Sequence, residues 1–145
     1  MIRKEMSKRG FGLTLAIAPM IFCLVSLHAE AQTGLLDGKV FIGEAGEKGK
    51  PADEKGDIIT FAGGTFHSSL CDQWGYGKGA YSAKAEGDVI SFEAETRSEK
   101  DGRLVWGGRL KGGVLEGGFT HYRKATWYRP NPDPIEHWFK AAPKT

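Results

Sequence analysis

The chain has 145 residues, a formal net charge of +2, 21 glycines and two cysteines. The imbalance sits in the first 31 residues, which hold four of the 20 basic and two of the 18 acidic residues; residues 32–145 balance at zero and keep one cysteine, Cys71. That length suits one domain rather than two, a neutral chain without a basic patch excludes a typical nucleic-acid binder, and a lone cysteine excludes an internal disulfide or a CxxC pair.

Residues 1–31 read as a cleaved export signal. Arg3, Lys4, Lys8 and Arg9 precede an apolar run from Leu13 to Leu27, and Ala29 and Ala31 occupy the −3 and −1 positions of a cut before Gln32. The apolar run, of about 15 residues, is shorter than the roughly 20 a spanning helix needs. Phe22 before Cys23 does not suit a lipoprotein site, and Lys8-Arg9 departs from a twin-arginine pair, which favours the ordinary Sec-type route. A periplasmic or secreted product without a membrane span is expected.

From Lys39 onward no stretch keeps apolar residues at helical spacing for three turns. Glycine-bounded segments alternate with period two instead, which is the mark of half-buried strands. The pattern predicts strands over 39–45, 57–62, 65–71, 80–85, 88–97, 103–110, 114–122 and 125–129, with 136–142 as a last strand or a latch. Residues 46–56, polar and Gly-rich, read as a mobile loop. Pro130, Pro132 and Pro134 favour an extended strap. Tight Gly-containing connections make consecutive strands antiparallel neighbours. The expected fold is therefore all-β: an up-and-down meander of eight or nine antiparallel strands. Closing it into a small barrel removes both edges. A two-sheet sandwich is the alternative, less favoured because no long Greek-key connection is visible.

An eight-stranded meander of about this size behind a signal peptide resembles the calycin architecture, the lipocalin and avidin type of barrel. Gly38-Lys39-Val40 stands where lipocalins open with G-x-W, without the Trp. A second resemblance is carried by Phe61-x-Gly-Gly-x-Phe66-x-Ser68-x-x-Cys71 with Gly75-Tyr76, then by Trp106-x-Gly108, Leu115-Glu116-Gly117, Trp127-Tyr128-Arg129-Pro130 and Trp138-Phe139-Lys140. It is similar to a recurring pattern in small exported bacterial proteins, and it implies a shared barrel without naming a chemistry.

Candidate site residues fall into two groups. His67, Ser69 and Cys71 share one face if the third strand runs through 71, and Trp74 and Tyr76 follow them. Cys71 reads either as a reactive thiol or as a buried small hydrophobe. The second group is aromatic: Phe92, Trp106 and Phe119 on inward positions, with Trp127 further on. His121 shares the Phe119 face and points inward. Aromatic side chains in a barrel mouth suit apolar or ring-shaped ligands, and equally suit ordinary core packing. His67, Cys71, His121 and His137, with Asp72, lack a recognised metal spacing, so neither a metal nor a cofactor is expected. The acids read as a solvated outer face.

Three functions remain. The first is a barrel binding a small apolar or aromatic ligand in a cavity lined by Phe92, Trp106 and Phe119. The second is an envelope interaction module using the segment from Trp127 to Phe139. The third is a thiol-dependent enzyme or redox protein using Cys71.

Overall fold

The computed structural model describes residues 31–145, so the export segment lies outside the described residues apart from Ala31. Eight strands follow one another: β1 (Val40–Glu47), β2 (Glu54–Ala62), β3 (Thr65–Ser68), β4 (Gly79–Glu86), β5 (Val89–Ser98), β6 (Gly102–Lys111), β7 (Val114–Arg123) and β8 (Ile135–Pro143). Each pairs antiparallel with its sequence neighbours, and β8 returns to β1 to close a barrel. This is the expected meander. No helix among the described residues is long and apolar enough to cross a membrane.

Three local expectations are corrected. Residues 125–129 do not form a strand: Thr126 and Arg129 exchange two backbone hydrogen bonds of 3.0 and 3.1 Å that close a tight turn. The prolines that follow have no N–H to offer a ladder, and Ile135–Pro143 takes the place beside β1. The third strand stops at Ser68, and Ser69–Trp74 form a 3₁₀ turn. Its cause is Asp57 on β2, whose carboxylate accepts the Ser69 hydroxyl at 3.2 Å and the Leu70 N–H at 3.1 Å, pulling the chain out of the ladder. The loop expected over 46–56 shrinks to 48–53, because β1 runs to Glu47 and β2 starts at Glu54.

The inward positions fill one end of the barrel completely. Phe61 sits at its centre, with ring centroids 5.5 Å from Phe66, 4.9 Å from Tyr81 and 5.1 Å from Phe92, all edge to face. Burying a Phe side chain contributes roughly 1.5–3 kcal/mol, and each such aromatic pair about 0.5–1.5 kcal/mol more. Room for these rings comes from bare backbone. A Cβ on Gly108 would lie 2.8 Å from a Phe92 ring atom and 2.9 Å from one of Phe139. The segment before β1 then caps this end. Leu36 is fully buried, its N–H donates to the Tyr81 hydroxyl at 2.9 Å, and that hydroxyl donates to Asp37 at 2.8 Å.

A cavity at the open end of the barrel

The other end carries the connections 48–53, 69–78, 99–101 and 124–134, and there the interior is not filled. A cavity of about 320 Å³ opens between the strand ends and the 3₁₀ turn. Its volume is at the small end of the range for ligand pockets, roughly 300–1,000 Å³.

The floor is apolar. Trp106 and Phe119 are cross-strand partners on β6 and β7, so both face inward, and their ring centroids are 4.2 Å apart. The Trp106 indole N–H donates to Thr96 at 3.3 Å, which fixes the ring. His137, opposite Phe119 on β8, stacks on it at 4.6 Å with rings 3° from parallel. Leu104 and Ala45 complete the lower wall.

The rim is polar. Tyr76 follows the 3₁₀ turn, is 3% exposed, and its hydroxyl has no hydrogen-bond partner of good geometry among the described residues. Burial, and after it the nearby Asp101 carboxylate, pushes this phenol above its ordinary range. His121 Nε2 lies 3.3 Å from Asp101 Oδ2. Burial holds the His137 imidazole below the usual histidine range, and its Nδ1 has no partner of good geometry among the described residues. Ser98 organises the mouth by donating to the Trp74 carbonyl at 2.6 Å and accepting the Asp101 N–H at 3.2 Å.

The β2 wall is acidic. Alternation alone would set Glu54 and Asp57 on opposite faces, since they are three positions apart. Between them Gly56 adopts φ +78°, and the β1–β2 pairing skips it, passing from Gly43↔Asp57 to Glu44↔Lys55. This bulge reverses the phase, and both carboxylates line the cavity. Asp57 is 6% exposed and also accepts the Ser68 hydroxyl at 2.7 Å. The acids were expected to face solvent; Glu54, Asp57 and Asp101 instead border the interior.

Cys71 lines the same space, 3.3 Å from Ser68 Oγ. Burial pushes its thiol up to about 11, with Asp57, Asp72 and Glu54 acting in the same direction against the Ser68 hydrogen bond. A thiol at that value is almost wholly protonated at neutral pH, the opposite of an activated nucleophile.

Of the residues singled out from sequence, Cys71, Trp74, Tyr76, Trp106, Phe119 and His121 come together here. Phe92 lies in the packed half. Ser69 is taken up by Asp57 and by the Ile58 N–H, and His67 is held outside by Asp72 at 2.8 Å. Trp127 stands 93% exposed on its turn. His67, Ser69 and Cys71 do not share a strand face, because the strand ends before Ser69. No group of three or more His, Cys, Asp or Glu among the described residues is placed to hold a metal ion. Comparison with protein-family models, with curated proteins and with solved structures finds no match.

Proposed function

We propose that this chain is an exported, calycin-like barrel that acts in the periplasm or outside the cell and binds a small molecule with an apolar or aromatic body at its open end. The observation that carries this reading is the cavity of about 320 Å³ floored by the Trp106–Phe119 pair. A ring seated there gains burial and contact with the ring edges of the floor. The hydroxyl of Tyr76, buried beside Asp101 with no hydrogen-bond partner of good geometry among the described residues, gains a hydrogen bond from a polar head. Cys71, a protonated thiol, serves as wall in this reading rather than as a nucleophile.

Native mass spectrometry of the protein taken from its own host tests the proposal. Expected is a chain beginning at Gln32 with an added small-molecule mass that Ala45→Phe, which fills the cavity, removes. A bare chain in the wild-type sample would count against ligand binding, and an uncut one against export.

A second reading, an envelope interaction surface, draws on Trp127 and Tyr128. They are 93% and 67% exposed and meet edge to face at 5.6 Å on the tip of the 126–129 turn. The remainder of that segment does not join them, since Phe139 is buried and the Trp138 indole donates to the Lys50 carbonyl. Trp127→Ala with Tyr128→Ala should then abolish capture of a partner while leaving the cavity's ligand in place.

A further inference from the structure

The side chains around the cavity carry a charge as well as a shape. Asp53, Glu54, Asp57 and Asp101 border it, and no Lys or Arg among the described residues does. Asp57 is buried and held by hydroxyl and amide donors, but it has no cationic partner among the described residues. Glu54, half-buried on the inward side of the bulge, makes no ion pair among them either. Asp101 has only His121. Asp57 is buried and the other carboxylates are partly exposed, and together they set a negative potential at the mouth that a cation would neutralise.

Two features independent of the acids favour a particular cation. Tyr76, 3% exposed in the cavity wall beside Asp101, has a hydroxyl with no hydrogen-bond partner of good geometry among the described residues, and its oxygen can accept from an N–H donor. Trp106 and Phe119 border the cavity with apolar ring edges, their faces being taken up by each other, by Phe66 and by His137, so they receive the body of the ligand rather than its charge. We infer that the cavity takes a small organic ammonium, its charged head among Glu54, Asp57 and Asp101 and its apolar or ring body against Trp106 and Phe119. The inference rests on the ligand-binding reading above and adds the charge of the ligand to it.

Three probes with one ring and one spacer separate the possibilities: phenethylammonium, phenethyl alcohol and phenylpropionate, each titrated into the purified protein by calorimetry. Expected is phenethylammonium binding at least about tenfold tighter than the alcohol, with phenylpropionate weakest. Added NaCl should weaken the ammonium and leave the alcohol unchanged. Glu54→Gln, at a half-exposed rim position that holds nothing else in place, should lower the ammonium affinity roughly threefold to tenfold and leave the alcohol alone. If the alcohol or phenylpropionate binds as tightly as the ammonium, the charge assignment is overturned and the ligand-binding reading stands. Failure of all three to bind would overturn both.

Discussion

The two ends of this barrel are made by the same eight strands and the same alternation, yet they hold opposite contents. At the closed end every inward position is aromatic, aliphatic or glycine, the rings interlock, and Leu36 seals them. At the open end the inward positions turn to Asp57, Ser68, Thr96, Ser98, His121 and His137, and space remains between them. The two halves divide the work of the fold. The closed half supplies the burial that holds a small domain together, which frees the open half to keep polar groups and a cavity that would weaken a core.

The largest effect should come from emptying the closed end. Phe66→Ala removes a fully buried ring in contact with Phe61, Phe92 and Trp106, and should lower the free energy of urea unfolding by about 3–5 kcal/mol. Phe119→Ala, at a half-buried position beside a cavity already present, should lose only about 1–2 kcal/mol. Equal losses would break the comparison. Next is Asp57→Ala, which strands the Ser68 and Ser69 hydroxyls and the Leu70 N–H; a loss of about 1–3 kcal/mol in the same assay is expected, with the 3₁₀ turn becoming protease-sensitive.

Cys71 gives a subtler contrast. Its folded value near 11 lies above the ordinary 9.0, so the folded state holds its proton more tightly. Its contribution is then fully present below pH 9 and lost as pH rises toward 11. Cys71→Ser should flatten the stability profile over that interval, and alkylation of the native thiol near pH 8 should run about a hundredfold slower than of a free one. The smallest effect belongs to His137. Its folded value is lowered, chiefly by burial. Its contribution is present above the ordinary 6.5 and lost as pH falls through the folded value. His137→Phe should reduce that acid-side slope, read as melting temperature against pH.

Much of the fold was legible because period two is a local signal. Phe92-Glu93-Ala94 and Leu104-Val105-Trp106 declare their faces without reference to any other strand, and hairpin glycines declare the order. Periodicity reports a face and not a height along the barrel, however, so Phe92 and Phe119 look alike in sequence while one fills the closed end and the other borders the cavity. The end of β3 was hidden for a different reason: its cause is a carboxylate eleven to thirteen positions earlier on a neighbouring strand. At 125–129 aromatic and β-branched residues have strand propensity, but propensity cannot provide a pairing partner. The acidic wall was hidden by Gly56, where a single unpaired residue in a left-handed conformation reverses inside and outside. A glycine between two acids that alternation sets on opposite faces is the one signal that could have disclosed it.

Anomalous diffraction from crystals soaked in bromobenzene distinguishes a filled end from an open one. A bromine peak inside the cavity, against the Trp106–Phe119 pair, with none among Phe61, Phe66 and Phe92, is the result predicted. Side chains filling the space at Trp106 and Phe119, with bromine bound only on the outer surface, would contradict it.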